Sequence, residues 1–475
     1  MYYKLSDDFA LRAWKFVPHG LYNRYLPGPV RIGADTFDLL LKCDGEHDLE
    51  ESEELDRLAK TGIIIPCGKG DAPSEWSRFR KYGHRFVPAI NLMITGKCNY
   101  NCRHCFNAAD NADKMKEWDW DDLMDLFDQA ADCGVHSITL TGGEPMIYPR
   151  FLDAVREIYR RGMTLEKLTT NGYFLTKEVL DEFKRLKCAP VIKISFDGVG
   201  CHDWMRGHKG AEERTIDAFR LCAEEGFKTL SQTQVNRKNV DSIEETLDLL
   251  DSIGVTTTRL IRTTAVPRWI KNAPDASLPV SEYFERTLDL ADRYMRGDHR
   301  MDVLVWQFIH VYPEKKFFRM EDVISHDGRA SPTRAVCVGN RTMMGITCEG
   351  YVVPCLQMAG YAMELGYECD SLKERRLRDV IESGKWHDAV CMNHHALGKR
   401  SRECGKCEWF GYCGGGCRAL GMLDSVEREG AIDEYAADPV ACLFFKGGWY
   451  DRVRERLKDF SYPGHILSEP ADTEL

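Results

Sequence analysis

Short apolar segments alternate with helix-like segments between about residues 86 and 262, and this alternation constrains the fold more than any other feature of the chain. Six segments carry the apolar and β-branched residues typical of buried strands. These predicted strands are residues 89–95, 137–141, 165–170, 191–195, 230–235 and 258–262. Strands separated by helices predict a parallel α/β sheet, open or barrel-like. Because reactive groups of such sheets follow the carboxyl ends of the strands, the residues after each strand are the functional candidates.

A C-x3-C-x2-C run formed by Cys98, Cys102 and Cys105 follows the first predicted strand. Three thiolates can bind three irons of a four-iron cluster and leave the fourth iron open to another ligand. A zinc ribbon would need a fourth Cys or His at pair spacing, and His104, inside the run, is poorly placed for that role. The run therefore favours an iron–sulfur cluster, with zinc binding or plain structural thiols as alternatives.

A glycine-rich motif, Gly142, Gly143, Glu144 and Pro145, follows the second predicted strand. The two glycines let the backbone approach a ligand closely, and Glu144 adds a fixed negative charge beside it. Without its context, the same motif could be an ordinary strand-to-helix turn.

The cysteine run and the GGEP motif together resemble the signature of the radical S-adenosylmethionine (SAM) enzymes. The resemblance implies that Cys98, Cys102 and Cys105 hold a four-iron cluster whose open iron binds the amino and carboxylate groups of SAM. The GGEP segment would receive the SAM amino group. Reductive cleavage of SAM then gives a 5′-deoxyadenosyl radical, which abstracts hydrogen from the substrate.

The ends of the third and fourth strands resemble two further SAM-facing segments of this family. The resemblance assigns Asn171 to the first of them, and Ser195 with Arg206 to contacts with the ribose or carboxylate. The planar guanidinium of Arg206 suits a carboxylate, although a surface salt bridge is the alternative for Arg206 and a simple turn for Asn171. Gln234 and Asn236 are weaker candidates for the pocket lining.

A second cysteine pattern occupies the C-terminal part of the chain. Cys337 is followed by twelve residues and Gly350, and Cys355 comes after four more. The remaining members are Cys404, Cys407, Cys413, Cys417 and Cys442. This order resembles the seven-cysteine SPASM extension of certain radical SAM enzymes, with a zinc ribbon as the alternative.

The SPASM resemblance implies two auxiliary four-iron clusters. The nearer cluster would use Cys337, Cys355 and Cys417, and the farther one would use Cys404, Cys407, Cys413 and Cys442. Seven cysteines cannot supply eight ligands, and Cys348 is a candidate for the gap. However, residues 347–350 resemble a hairpin tip, and about seven residues of strand would place Cys348 roughly 20 Å from the cluster. We therefore expect an open iron on the nearer cluster.

The N-terminal residues 1–71 differ in pattern from the rest of the chain. Strands are predicted at 2–5, 10–16 and 30–32, helices at 35–43 and 49–60, and a small wing at 62–66. This order resembles the RiPP recognition element, a winged-helix module of enzymes that modify ribosomally made peptides. In that module a leader peptide adds an edge strand to a three-stranded sheet. The alternatives are a cap on the barrel or a DNA-binding winged helix, which the acidic run 46–54 disfavours.

The expected fold class is α/β: a partial (β/α)6 radical SAM barrel between a winged-helix-like peptide-binding domain and a cysteine-rich SPASM domain. The expected segments are the recognition element 1–71, a polar linker 72–85, the radical SAM core 86–300, a bridging region 301–336, the SPASM domain 337–445 and a C-terminal helix and tail 446–475.

The function implied by these resemblances is a radical SAM peptide maturase with three four-iron clusters and SAM. It would abstract hydrogen from a core-peptide residue and install an oxidative crosslink, with a Cys thioether preferred. Carbon–carbon or carbon–oxygen crosslinking, epimerisation, and the reaction of an anaerobic sulfatase-maturing enzyme remain open, as does an iron–sulfur electron-transfer or regulatory protein. The expected partners are a precursor peptide, with its leader on residues 1–71, and a flavodoxin or ferredoxin as electron donor. No Asp or Glu stands out as general acid or base.

Composition adds the expected setting. A formal net charge of −11 argues against nucleic-acid binding, and no apolar run is long enough to span a membrane. The first residues lack the basic and apolar regions of a signal peptide. Nineteen cysteines without an export signal therefore favour an anaerobic, reducing cytoplasm.

Overall fold

Two small sheets and two helices form the N-terminal region of the computed structural model, which describes residues 1–105, 116–264, 266–337, 339–359 and 367–462. The elements are β1 (Tyr3–Leu5), β2 (Phe9–Ala13), β3 (Gly20–Asn23), β4 (Pro29–Arg31), α1 (Ala34–Leu41), α2 (Glu53–Lys60), β5 (Ile64–Pro66) and β6 (Arg80–Lys81). β1 pairs with β5, and a four-stranded sheet has the order β4-β3-β2-β6. This differs from the single three-stranded sheet expected, because β3 was not predicted and the wing strand β5 pairs with β1 instead.

The segment 72–85, expected to be a polar linker, packs on the N-terminal sheet. Its strand β6 pairs with β2, and the Trp76 side chain donates a hydrogen bond from Nε1 to the Gly162 carbonyl of the central domain (3.2 Å). Tyr82 stacks on the buried Trp14 with ring centroids 5.3 Å apart. Although most of this segment is polar, its Trp76 and Tyr82 side chains contact the central domain and the N-terminal region, respectively. The segment therefore joins these two regions.

Seven parallel strands, β7 to β13, form the centre of the molecule in sequential order. They and their helices are β7 (Ala89–Thr95), α3 (Trp120–Asp132), β8 (Ser137–Gly142), α4 (Phe151–Arg160), β9 (Thr164–Thr170), α5 (Lys177–Arg185), β10 (Val191–Ser195), α6 (His202–Arg206), α7 (Ala211–Glu224), β11 (Thr229–Val235), α8 (Ile243–Ile253), β12 (Thr257–Arg262), α9 (Pro267–Asn272), α10 (Val280–Arg296) and β13 (Asp302–Val305). The six predicted strands are confirmed, each to within one residue at either end. β13 is an additional parallel strand, so the bridging region 301–336 begins inside the sheet.

The two faces of the central strands have opposite character. Ile192 and Ile194 of β10 are fully buried on the face that packs against the helices, whereas Lys193 and Ser195 on the other face are partly exposed. Such alternation places one side of each strand in a core and the other toward an open space. The concave side of the sheet consequently faces a cavity instead of a packed core.

The C-terminal region continues the same sheet at both ends, giving twelve strands in all. Its elements are β14 (Ile309–Tyr312), β15 (Phe317–Met320), β16 (Met343–Ile346), β17 (Tyr351–Val353), β18 (Asp370–Ser371), α11 (Leu377–Ser383), α12 (Lys385–Val390), α13 (His394–Arg400), α14 (Phe410–Cys413), α15 (Arg418–Glu429), α16 (Pro439–Lys446) and α17 (Trp449–Arg456). β16 pairs in parallel with β7 and antiparallel with β17, which brings the cysteine-rich region to the first strand of the barrel. The predicted tail, residues 463–475, lies outside the described residues.

The α/β fold class is confirmed: an open, barrel-like parallel sheet carries an N-terminal region of small sheets and a cysteine-rich C-terminal region. Among the described residues, no helix has the length and apolar character needed to cross a bilayer.

The joint between the N-terminal region and the barrel should depend on Trp14, which is 1% exposed and contacts Tyr22, Tyr82 and Phe86. Trp14→Ala should lower the free energy of unfolding by roughly 3–5 kcal/mol, because it leaves a large cavity. Phe16→Ala, at a side chain 37% exposed, is the control and should cost less than about 1 kcal/mol. Urea denaturation followed by circular dichroism measures both, and equal losses would contradict this account of the joint.

Candidate active site

The loop with Cys98, Cys102 and Cys105 begins directly after β7 and is held in place by α6. Backbone N–H groups of Asn101 and Arg103 donate to the carbonyls of Arg206 (3.1 Å) and Met205 (2.9 Å). All three thiols pack in one small cluster with neighbouring aromatic residues. Loop and helix thus meet through main-chain hydrogen bonds, which position the loop relative to α6.

The three thiols are suited to bind iron. Burial raises the pKa of Cys98 to about 12. Burial also raises the pKa of Cys102, and the positive charge of the nearby Arg206 partly opposes that rise. Backbone and guanidinium donors lie beside the sulfurs: Tyr100 N is 3.4 Å from Cys98 Sγ, and Arg206 Nη1 is 3.6 Å from Cys102 Sγ. These donors can stabilise the negative charge of thiolates on a cluster. The donor set therefore fits a four-iron cluster with one iron left open.

No group of three or more His, Cys, Asp and Glu in the described ranges converges on a single metal-ion position. A cluster does not require such convergence, because each thiolate binds a different iron.

The GGEP motif contacts the chain that leads into Cys98. Gly143 N donates to the Thr95 carbonyl and Glu144 N donates to the Lys97 carbonyl, both at 2.8 Å. A Cβ on Gly143 would lie 2.2 Å from the Lys97 carbonyl oxygen. The glycines therefore allow a close approach between two backbone segments, where the sequence suggested an approach to a ligand.

Glu144 is fully buried at the end of β8 and accepts several hydrogen bonds. Its donors are the Thr170 hydroxyl (2.9 Å), Asn171 N (2.8 Å) and Met146 N (3.2 Å), the last at the start of the 3-10 helix Pro145–Ile147. Burial raises the pKa of Glu144 to about 7, and the hydrogen bonds only partly oppose that rise. A bound ammonium group would favour the ionised form of this carboxyl.

Asn171 and Ser195 both lie at carboxyl ends of strands, as expected. The Asn171 side chain donates to Asn99 Oδ1 (2.8 Å) and its Nδ2 lies 3.9 Å from Cys98 Sγ, so it belongs to the cysteine loop environment. Ser195 ends β10 opposite Gln232 of β11. Of the two weaker candidates, Gln234 lines the cavity, whereas the buried Asn236 hydrogen-bonds within its own turn.

Arg206 is neither a surface residue nor a free anion site. Its Nε lies 2.7 Å from Asp197 Oδ2, and both side chains are buried. Burial alone would raise the pKa of Asp197, but Arg206 and His202 outweigh burial and hold that pKa well below its usual range. Asp197 was missed by the sequence analysis, although it follows the fourth strand two residues after Ser195.

A cavity of about 730 Å³ joins the cysteine loop to the C-terminal region. His104 lines one part of it, and Cys337, Cys355 and Cys417 line another. The inward side chains of β8 to β12 form the wall between them. The nearer predicted cluster site and the barrel interior therefore share one cavity.

The four other predicted ligands line a second, smaller pocket: Cys404, Cys407, Cys413 and Cys442. Asp438 also lines this pocket and accepts hydrogen bonds at Oδ2 from Cys417 N (2.7 Å) and the Gln307 side chain (2.8 Å). Asp438 thus links the two cysteine groups, and no spacing pattern in the sequence indicated it.

Cys348 lies in the turn between β16 and β17, so the predicted hairpin is confirmed. It is buried and absent from the lining of the large cavity. The adjacent Thr347 carbonyl accepts a hydrogen bond from Trp118 Nε1 (3.2 Å), which anchors the turn against the segment that leads into α3. This environment is that of a structural cysteine.

Comparison with known proteins agrees with this geometry. The family model for the radical SAM superfamily matches residues 92–250. Curated relatives include an AdoMet-dependent heme synthase of Methanosarcina barkeri, 25% identical over 75% of this chain and 97% of the relative. The PqqA peptide cyclase of Gluconobacter oxydans is 25% identical over 80% of this chain and 97% of the relative.

Two solved structures share the fold. Streptococcus suis SuiB bound to its precursor peptide SuiA aligns with a TM-score of 0.60 at 15% identity, over 92% of this chain and 99% of SuiB. Native anSMEcpe with bound AdoMet and the Kp18Cys peptide aligns with a TM-score of 0.55 at 15% identity, over 78% of this chain and 99% of that protein.

The chain thus contains a radical SAM domain, and the prediction of a radical SAM enzyme is confirmed. A domain of this superfamily implies one four-iron cluster and SAM, and the Cys98–Cys105 loop offers the donor set that fits that cluster.

Gly143→Ala tests the backbone contact that positions the cysteine loop. The added Cβ has no space between the Lys97 and Gly96 carbonyl oxygens (2.2 and 2.5 Å), so the free energy of unfolding should fall by about 2–3 kcal/mol. Iron bound by the Cys98 loop should fall with it, as measured by iron content after anaerobic reconstitution. Gly68→Ala, where a Cβ meets nothing within 4 Å, is the matched control. Normal stability and iron content in Gly143→Ala would contradict the contact.

Proposed function

We propose that this chain is a radical SAM peptide maturase that installs an oxidative crosslink in a ribosomally made peptide. The observation that carries the proposal is the single cavity between the cysteine loop after β7 and Cys337, Cys355 and Cys417. A substrate in this cavity would lie between the site of hydrogen abstraction and a site able to accept an electron. An oxidative crosslink requires the substrate to lose a second electron after hydrogen abstraction. A simple hydrogen exchange does not require that loss.

Cys98, Cys102 and Cys105 would hold the cluster, with SAM beside Glu144, Asn171 and Ser195. When bound, this pair supplies a 5′-deoxyadenosyl radical. Glu144 offers a buried carboxyl for the SAM amino group, with its oxygens fixed by Thr170 and Asn171. The Arg206–Asp197 pair holds α6, and with it the cysteine loop.

The two C-terminal cysteine groups would hold auxiliary clusters, which gives three clusters in all. Cys337, Cys355 and Cys417 offer three ligands beside the substrate cavity, and the other four cysteines offer a complete set deeper in the domain. Three ligands leave one iron open, and an open iron can bind a substrate thiolate. That chemistry favours a Cys thioether over carbon–carbon or carbon–oxygen links. A low-potential donor of the flavodoxin or ferredoxin type would supply the reducing electron.

The peptide would be recruited by the N-terminal region. Among the described residues, β4 is an unpaired edge of the four-stranded sheet, and the opposite edge is the short strand β6. Leu26 and Val30 beside this edge are 60% and 64% exposed. Unpaired main-chain groups next to exposed apolar side chains suit an added peptide strand. The relative named PqqA peptide cyclase and the SuiB structure with its precursor peptide support a peptide substrate.

A carboxylated tetrapyrrole is the second candidate substrate, because other relatives are named heme synthase and Fe-coproporphyrin III synthase. Incubation of the reduced, reconstituted enzyme with SAM and either a cysteine-bearing candidate precursor peptide or an iron-coproporphyrin separates the two. The maturase should form 5′-deoxyadenosine and lower the peptide mass by about two hydrogens per link. An unchanged peptide mass together with conversion of an iron-coproporphyrin would overturn the proposal.

The cluster assignment predicts a stepwise loss of iron. Reconstituted protein should contain about twelve irons, from four in each of three clusters. Cys355→Ser should remove about four of them and abolish crosslinking while SAM cleavage persists. Cys98→Ser should abolish SAM cleavage. Cys348→Ser is the matched control and should keep the full iron content, so a loss of four irons there would overturn the ligand assignment.

If the peptide binds at the β4 edge, a charge added at that edge should weaken peptide binding, and a charge added on the other small sheet should not. Val30→Glu should weaken binding of the precursor peptide by about tenfold or more, because a carboxylate would be buried under the added strand. Ile65→Glu, on β5 of the other small sheet and 38% exposed, should bind normally. Fluorescence polarisation with labelled leader peptide measures both. If only Ile65→Glu loses peptide binding, the peptide binds the other small sheet and the assignment to β4 is wrong.

A further inference from the structure

Three cations line the inner wall of the barrel: Lys167 on β9, Lys193 on β10 and Arg259 on β12. The interior of a barrel is normally filled by apolar side chains, so long charged residues there have to be explained by something other than packing. All three side chains reach the same 730 Å³ cavity that joins the cysteine loop to the C-terminal thiols.

The strand register shows where these cations lie. Arg259 is opposite Gln232, which in turn is opposite Ser195 at the carboxyl end of β10. Lys193 is two residues below Ser195 on the same face, and Lys167 is opposite Val191, a further two residues below. The cations therefore descend from the rim toward the floor of the barrel, away from the strand ends that carry Glu144 and Asn171.

The three cations differ in the partners that the chain gives them. Within the described ranges, neither Lys167 nor Lys193 makes an ion pair or a side-chain hydrogen bond. The buried Nε of Arg259 also has no acceptor, and its guanidinium lies over the Trp306 ring at 3.6 Å. Burial lowers the pKa of Lys193 to about 7, and the positive charges of Arg259 and Lys167 lower it further.

Two carboxyl groups, those of Glu321 and Asp322, also line the cavity. Glu321 lies in the field of Arg259, but burial still raises the pKa of Glu321. Burial also raises the pKa of Asp322 well above its usual value, and the carboxyls of Asp438 and Glu321 add to the rise. Lys167 and Lys193 therefore share one wall of the cavity with Arg259 and have no ion-pair partner within the described ranges, whereas Glu321 favours the charged form of Arg259. An anion that enters from outside would relieve their repulsion and use their free donors.

We propose that Lys167, Lys193 and Arg259 bind the side-chain carboxylate of an Asp or Glu residue in the core peptide, and so select the residue presented to the radical. This inference rests on the proposed peptide substrate. A carboxylate on the lysines would leave the carbon atoms beside it higher in the cavity, toward His104. The planar fork of Arg259, oriented by Trp306, suits a bidentate contact.

The test uses the reconstituted full-length enzyme with SAM bound. The probes are N-acetyl-glutamate N′-methylamide and its glutamine counterpart, which differ only in the carboxylate. Saturation-transfer NMR should show binding of the glutamate probe at least about tenfold tighter than binding of the glutamine probe. Equal binding of the two probes would overturn the proposal.

Variants assign the binding to these residues. Lys193→Met and Lys167→Met keep side-chain bulk and should each abolish the preference for the glutamate probe. Lys228→Met, at an exposed lysine outside the cavity, is the matched control and should keep it. Lys193→Glu should bind N-acetyl-lysine N′-methylamide in place of the glutamate probe, which keeps the test decisive if one Met variant fails to fold. Unchanged preference in both Met variants would overturn the proposal.

Two further measurements separate other sources of a carboxylate. If Lys193→Met loses SAM binding in equilibrium dialysis, the cations hold the cofactor and the proposal is wrong. If coproporphyrin III binds through the same lysines and the glutamate probe does not, the carboxylate belongs to a tetrapyrrole and the proposal is again wrong. Absence of 5′-deoxyadenosine in every assay, with probe binding intact, would instead overturn the proposed function and leave the carboxylate site standing.

Discussion

The close contact between the Gly142–Gly143 backbone and residues 95–97 is the interaction on which the rest of the site depends. It ties the end of β8 to the chain that runs from β7 into Cys98. The two segments cannot separate without breaking the hydrogen bonds from Gly143 N and Glu144 N. Because Glu144 in turn receives donors from Thr170 and Asn171, the ends of three parallel strands are joined to one cysteine loop. The protein's own hydrogen bonds therefore position the loop that carries the three thiols.

Buried charge reinforces this arrangement from the other side. Arg206 and Asp197 form an ion pair below the loop, and the backbone of α6 receives hydrogen bonds from Asn101 and Arg103. A buried pair contributes little net stability, but loss of one partner leaves an uncompensated charge. Its effect here is to fix the position of α6 relative to β10. Lys167 on β9 and Lys193 on β10 are the opposite case, because within the described residues they form no ion pair and they face the cavity.

The cavity determines where a substrate can bind. Most of the strand side chains that line it are polar, among them Thr139, Lys193 and Gln232, and burial of these side chains in an apolar core would be costly. The hairpin β16–β17 pairs with β7 through β16 and brings Cys355 to the cavity from the far end of the chain. A substrate site is thereby enclosed between two groups of thiols that are more than two hundred residues apart in sequence.

The sequence by itself determined the local and repetitive features. Strand periodicity located β7 to β12 to within one residue, and cysteine spacing separated the three thiol groups, because both signals are carried by neighbouring residues. It also placed Cys348 at a hairpin tip. Only the tertiary structure decided which residues meet across long separations. It paired Arg206 with Asp197, linked Asp438 to Cys417, turned the GGEP glycines toward the chain at Lys97, and exposed three cations inside the barrel. Such pairings depend on strand register and packing, which no local pattern encodes, whereas ligand spacing within a loop is fixed by the reach of a few residues.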